Sequence, residues 1–403
     1  MNVLFVTRNL WPSFGAAATV NTEVAKGLSR RGHTVNMLAP NSVFEALAHR
    51  SGPSPLFPSG CKVYKFGPSL SRLPGYTISF IILILRAIPL ALRAHVLLCE
   101  YHRSHLSVLC AAATSVIGRK PLVVKVHDVL VPEPKSMVQS IVNLILKLTT
   151  LWSFRRAKMI LVPGDELVDV CRRTYGLQSG VLDVSYNGAD VKRFTHHNRS
   201  NELRRSIGSR HIVIFSGLLS QGRGLEVLFN AASLIRERVP DLKVLITGDG
   251  PDLPHLRNLA STSGLNDCIV FTGAVHPDTF PTYLASADVG IGELQEDCTN
   301  YGSTPLKIVE YMASGCVVVT AKGAVSKGLI RDGINGLLSS SSDPNDVAKK
   351  ILMVFHDKRK AKNIRKQARQ TVEEKFSWDV IVSELERKIR DLVTNTGKNQ
   401  QYD

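Results

Sequence analysis

Between residues 302 and 315 the chain reads Gly-Ser-Thr-Pro-Leu-Lys-Ile-Val-Glu-Tyr-Met-Ala-Ser-Gly. Ser303 or Thr304 is expected to cap a helix there, with Pro305 at its first position, where a missing N–H costs nothing. The free N–H groups from Ser303 and Thr304 to Leu306, with the positive helix end, would make an anion site. Lys307 in the first turn opposes the helix dipole, a poor choice for stability unless an anion binds nearby. One turn on, Glu310 could accept hydrogen bonds from a ribose diol; the bland alternative is a capped helix with solvated Lys and Glu. A second element, Gly217-Leu-Leu-Ser-Gln-Gly-Arg-Gly224, is a Gly-rich loop opening a helix. Gly222 permits close backbone approach, and Arg223 can grip phosphate oxygens in a bidentate manner.

Three further positions carry chemistry. Gly15, in the loop after the first strand, could admit a diphosphate or simply make a turn. His127, followed by Asp128, ends the apolar run Leu122–Val126 and is expected at the functional edge of a sheet. The acids Glu293, Glu296 and Asp297 precede Gly302 and read mostly as solvated loop residues.

These positions need a scaffold. Val3–Thr7, a helical pattern over Val20–Ser29 and Thr34–Leu38 form a βαβ opening, which implies a parallel sheet. Further strands are expected at Val63–Phe66, Val96–Cys99, Leu122–Val126 and Met159–Val162. The pattern then resets, with strands at His211–Phe215, Lys243–Thr247, Ile269–Thr272, Val289–Ile291 and Val317–Thr320. The fold class is therefore α/β, with two doubly wound Rossmann-like domains facing across a cleft and ligands beyond the strands' carboxyl ends. The expected boundaries are 1–190, 191–375 and a final segment 376–403. That segment holds a charged helix packing back toward the first domain and a frayed tail. Asn187-Gly-Ala-Asp190 is a turn signature suited to a hinge.

A chain of 403 residues with 44% apolar content fits two globular domains rather than a disordered chain. The net charge of +16 is lopsided: residues 1–200 hold 24 Lys and Arg against 10 Asp and Glu. Such a field favours polyanions, anionic membranes or phosphate-bearing molecules. Without a recognition motif or an aromatic-basic platform, nucleic acid is not an expected partner. Seven cysteines without a Cys-x-x-Cys pair read as buried thiols in a reducing compartment. The start of the chain reads directly as a strand, without a signal peptide. The apolar stretch Thr77–Leu98 is interrupted by Arg86, Pro89 and Arg93, so a buried or interfacial helix is expected rather than a span. With residues 136–158, it suggests a helical surface lying at an anionic membrane face, the alternative being packing inside the domain.

Across nearly its full length the sequence resembles family 4 of the retaining glycosyltransferases, which have the GT-B fold. The likeness is carried by "LSRRGHTVNMLAP" (28–40), "VVKVHD" (123–128), "YNGADVKRF" (186–194), "GLLSQGRGLEVL" (217–228) and "ITGDGPDLPHL" (246–256). It continues through "FTGAVHP" (271–277), "PLKIVEYMASGCVVVTA" (305–321) and "IRDGINGLL" (330–338). The resemblance implies transfer of a sugar from a nucleotide diphosphate-sugar donor with retained anomeric configuration, usually without a metal. Within it, Glu310 matches the ribose-binding glutamate, Arg223 the basic residue at the diphosphate, Gly15 the phosphate-facing glycine and His127 the histidine beside the donor sugar. Three positions depart. Gly302 stands where the family often has a second glutamate, Leu218 replaces a basic residue, and Ala16 replaces the second glycine of a pair. Pro305 with Lys307 resembles a branch of the family, and Glu296 or Asp297 could stand in for the missing acid. The expectation is a cytoplasmic enzyme, peripheral to the membrane, acting on a glycan or lipid-linked acceptor. A sugar-nucleotide epimerase of the same architecture and a degenerate non-catalytic subunit are the rivals.

Overall fold

The computed structural model describes residues 1–8, 10, 15–40, 58–66, 73–101, 105–127, 137–295 and 302–399. Asp128, Glu296, Asp297 and Cys298 lie outside them. The chain divides into two compact units, Met1–Tyr186 with Trp378–Asp403, and Asn187–Ser377. These limits differ by a few residues from the sequence boundaries at 190 and 375. Asn187 donates to the Thr304 carbonyl at 2.9 Å, and the Ala189 N–H donates to the Phe376 carbonyl at 2.8 Å. Both connecting stretches are thereby tied into the second unit.

The first unit contains β1 (Asn2–Val6), β2 (Thr34–Pro40), β3 (Cys61–Phe66), β4 (Val96–Tyr101), β5 (Leu122–Val126), β6 (Met159–Val162) and β7 (Leu182–Val184). They pair in parallel in the order β3-β2-β1-β4-β5-β6-β7. Every residue of β4 and β5 is buried, Glu100 and Lys125 among them, so these strands show no alternation of an inner and an outer face. Helices Leu73–Arg93, His105–Gly118 and Met137–Arg156 pack side by side. Leu83, Ala87, Val108, Ala111 and Phe154 from them join Leu4, Val6, Val124 and Val126 of the sheet in one core. The stretch expected as one helix over Thr77–Leu98 ends at Arg93, and Val96 already belongs to β4.

Helix Ala16–Arg30 packs instead against the last helix, Trp378–Asn399. A Cβ on Gly27 would meet Val382 Cγ2 at 2.7 Å, so the two backbones approach closely. His33 Nε2 lies 2.9 Å from Glu386 Oε1, and Lys388 Nζ donates to the Val184 carbonyl at 2.8 Å. The last helix runs through Asn399, beyond the point where the sequence suggested fraying.

The second unit has six parallel strands in the order β10-β9-β8-β11-β12-β13. They are β8 (His211–Ser216), β9 (Leu242–Thr247), β10 (Ile269–Gly273), β11 (Val289–Ile291), β12 (Val317–Ala321) and β13 (Leu337–Ser339). β7 and β13 were absent from the sequence reading. Each is three residues long, and β7 includes Asp183, so neither forms an apolar run. Their pairing to β6 and β12 defines them.

Candidate functional site

In the second unit the end of β12, the loop before Leu225 and the helix Leu306–Ser314 all meet Glu293, the first through its backbone carbonyl and the other two through one carboxylate oxygen. β11 ends just before Glu293, whose carbonyl accepts the Ala321 N–H at 2.8 Å and the Thr320 hydroxyl at 2.9 Å. Its side chain is fully buried. Oε1 of Glu293 lies 2.7 Å from Arg223 Nη1 and 3.1 Å from Lys307 Nζ. Burial alone would raise this carboxyl; the charges and hydrogen bonds of Lys307 and Arg223 outweigh it and hold it at about 2. Glu293 was expected to be a solvated loop acid, and the structure corrects this. An acid can stay ionised in the interior only when cations meet it, and here two do.

Lys307 also differs from expectation. Its ammonium was expected to meet a ligand anion, but Nζ is buried, ion-paired to Glu293 and 4.1 Å from the centre of the Phe215 ring. The anion that explains a lysine in this first turn is therefore internal. Arg223 sits at the end of the loop Gly217–Gly224, where Gly224 in the left-handed region starts the helix Leu225–Arg236. Gly222 has open space around its Cβ position, and with Ser220 and Arg223 it lines a depression of about 240 Å³.

Helix Leu306–Ser314 carries Lys307 and Glu310. Pro305 was expected at its first helical position with a Ser303 or Thr304 cap. Instead Pro305 is extended (φ −64, ψ 133) and itself precedes the first helical residue, with no side-chain cap. Thr304 is fully buried, and its Oγ1 has no hydrogen-bond partner among the described residues. Tyr311 locks the helix in place: its hydroxyl accepts the Ser216 N–H at 2.8 Å, at the end of β8. Glu310 is partly covered. Burial pushes its carboxyl up to about 8 although Arg193 pulls the other way, and among the described residues it has no hydrogen bond or ion pair. Gly302, where an acid was sought, has φ 68, a conformation that favours glycine.

The first unit holds the other two candidates. Gly15, at φ 128, precedes the helix Ala16–Arg30 with open space at its Cβ position. His127 follows β5, its N–H donating to the Tyr101 carbonyl at 2.9 Å. Its Nε2 is 3.2 Å from Asn21 Oδ1 and 3.9 Å from Glu100 Oε2. Asn21 donates through Nδ2 to Thr7 Oγ1 at 3.1 Å and to Glu100 Oε2, and Glu100 also accepts the Arg8 N–H at 2.6 Å. With Nδ2 so engaged, Oδ1 is the acceptor and Nε2 of His127 carries the proton.

Sequence reasoning thus named Arg223 and Lys307, which the structure brings together, but missed what joins them. Glu293, Tyr311, Asn21 and Glu100 went unrecognised. The available signal was a lone acid directly after a short buried strand, near two cations without assigned partners. Among the described residues no group of three His, Cys, Asp or Glu side chains could hold a metal ion.

Residues 17–193 match the family model for glycosyltransferase family 4, and residues 210–357 match that for glycosyl transferases group 1. An uncharacterized glycosyltransferase of Methanocaldococcus jannaschii is 27% identical over 66% of this chain and 68% of its own length. The alpha-D-kanosaminyltransferase of Streptomyces kanamyceticus is 28% identical over 54% of this chain. A GDP-mannose-dependent alpha-(1-6)-phosphatidylinositol monomannoside mannosyltransferase of Mycobacterium tuberculosis is 28% identical over 49%. These last two alignments span only 57% and 53% of those proteins. Among solved structures, Anabaena HepE in complex with UDP has a TM-score of 0.73 at 22% identity, covering 97% of this chain and all of that one. Sucrose-phosphate synthase from Thermosynechococcus elongatus gives 0.72 at 16% identity, covering 98% and 99%. The two family models between them take in most of both sheets, and with the shared architecture they identify the chain as a glycosyltransferase of the two-domain GT-B fold.

Proposed function

We propose that this glycosyltransferase moves a sugar from a nucleotide diphosphate-sugar to an acceptor hydroxyl with retention of anomeric configuration. The observation that carries the reading is the helix Leu306–Ser314. It offers the carboxyl group of Glu310, without a hydrogen bond or ion pair among the described residues, one turn from the cation cluster at Glu293. A ribose diol supplies the hydrogen bonds that Glu310 lacks, and the diphosphate meets Arg223, Gly222 and the backbone at Ser303, Thr304 and Leu306. Gly15 and His127 are the residues this reading assigns to the donor's phosphates and its sugar.

In the transfer, the bond from the anomeric carbon to the diphosphate oxygen breaks and a bond to the acceptor oxygen forms on the same face. The acceptor's proton passes to the departing phosphate. Negative charge grows on the leaving group, and Arg223 stabilises it there, the kind of term that usually dominates such catalysis. A thermal-shift panel of UDP, GDP and ADP sugars, followed by turnover with and without acceptor hydroxyls, tests this. Turnover of donor alone into an epimer would replace the reading with an epimerase. Binding to none of them would leave the degenerate subunit.

A separate observation bears on the acceptor. Helices Leu73–Arg93, His105–Gly118 and Met137–Arg156 expose Ile81, Leu85, Val116, Leu144, Leu148 and Trp152. None of the three contains an acid, whereas Arg86, Arg93, Lys147, Arg155 and Arg156 are all exposed. An apolar surface rimmed by cations alone suits an anionic lipid surface, which favours a lipid-linked or membrane-presented acceptor glycan. No helix among the described residues is long and apolar enough to cross a membrane. Flotation with phosphatidylglycerol vesicles should recover the protein, and Leu144→Ser with Leu148→Ser should abolish recovery. Equal recovery of the variant would refute this placement.

A further inference from the structure

A buried acid shared by two cations is an expensive way to fill an interior, since well-packed apolar residues are often as stable. The backbone role of Glu293, joining β11 to the end of β12 through its carbonyl, needs no carboxylate. Something else must account for the side chain. Its effect on Arg223 does. Among the described residues the partners of the Arg223 guanidinium are Glu293 at 2.7 Å and Ser220 Oγ at 3.5 Å. Nη1 and Nε are thereby engaged, and among the described residues Nη2 has no partner. Lys307, buried against Phe215 and close to Gly217, supplies the charge that lets Glu293 stay ionised at that depth.

We propose that Glu293 is a positioning residue for transfer: with Lys307 as its buried counter-ion, it fixes Arg223 so that Nη2 of the guanidinium meets the donor diphosphate. The proposal rests on the transferase reading only for the identity of that ligand. Lys307 on this account acts through Glu293 and does not touch the donor. A different acid from the one absent at Gly302 thereby preorganises the phosphate contact. Holding one rotamer-rich cation in its bound geometry before the ligand arrives removes part of the ordering cost of binding.

The test is calorimetric titration of the full chain with UDP, GDP and ADP, and with the parent nucleosides. It compares wild type with Glu293→Gln, Glu293→Asp and the doubly neutral Glu293→Gln/Lys307→Met, each checked for folding by thermal melting. The double variant removes both charges of the buried pair together, so it keeps the fold accessible. Loss of a positioned, charge-assisted contact is expected to weaken the preferred diphosphate about tenfold or more in Glu293→Gln and in the double variant. Nucleoside affinity should hold, and Glu293→Asp should recover part of the loss. A folded double variant that binds the diphosphate as wild type does overturns the inference, as does equal loss of nucleoside and diphosphate. If wild type itself binds none of the three diphosphates, the transferase reading falls as well.

Discussion

A Cβ on Gly248 would overlap the carbonyl oxygen of Gly217, so the loops after β9 and β8 touch backbone to backbone. The contact is reinforced by the Gly217 N–H donating to Thr247 O at 3.0 Å and the Leu219 N–H to Asp249 O at 2.9 Å. Both glycines also have strongly positive φ, 137 and 136. Gly248→Ala must push the loop at Gly217 away and strain its own backbone. We expect a loss of about 2–4 kcal/mol, read by denaturant unfolding, with weaker nucleoside diphosphate binding in the fraction that folds.

Restoring the family's acid should not help. Gly302→Glu places a side chain at φ 68, at a cost of about 1–2 kcal/mol. The expected result is lower stability with no gain in turnover; a more active variant would show that the loop can supply an acid to the donor sugar.

Glu310→Gln should separate stability from binding. The Glu310 carboxyl sits at about 8 against an ordinary 4.5, so the folded state keeps a proton that the unfolded chain releases. Stability contributed by this group therefore falls as pH rises from 4.5 toward 8. The glutamine variant should melt higher than wild type by several degrees, with a margin that widens across that window, and should bind nucleoside diphosphates more weakly. Melting curves at pH 5 and pH 8 check the first part and calorimetry the second.

Lys125 gives the opposite slope. It is buried in β5 with its amine donating to Ser185 O at 3.0 Å and Ser185 Oγ at 3.1 Å. Burial first, then the charge of Lys388, lowers it from 10.5 to about 7. Here the unfolded chain binds the extra proton, so stability rises with pH between those values. Lys125→Met should stabilise the protein at pH 7 by about 1–3 kcal/mol, and the gain should shrink toward pH 10. A gain independent of pH would mean that packing, not charge, limits this strand.

The sheets were legible because their strands are buried on both faces and end in glycine-rich loops, as at Val213–Gly217 and Val244–Gly248. Arg223, Lys307 and Glu310 stood out because a cation in a helix's first turn and a carboxylate one turn on need a reason. Glu293 did not stand out. Its environment is made by Arg223, 70 residues earlier, and by a lysine on another helix, and no local pattern announces a partner supplied by the tertiary fold. The register of Pro305 was misjudged for a related reason: the segment before the helix is held by Asn187 and by the Ser326 N–H on Ser303 O, not by a local cap. The apolar helices were read as either interior or interfacial; one face lies in the core and the other is exposed.

With Glu293 lodged between Arg223 and Lys307, the trio carries a net charge of one where two cations stand. On the proposed reading, inorganic phosphate would gain less from this trio than from two free cations, and a donor that also engages Glu310 would be favoured over it.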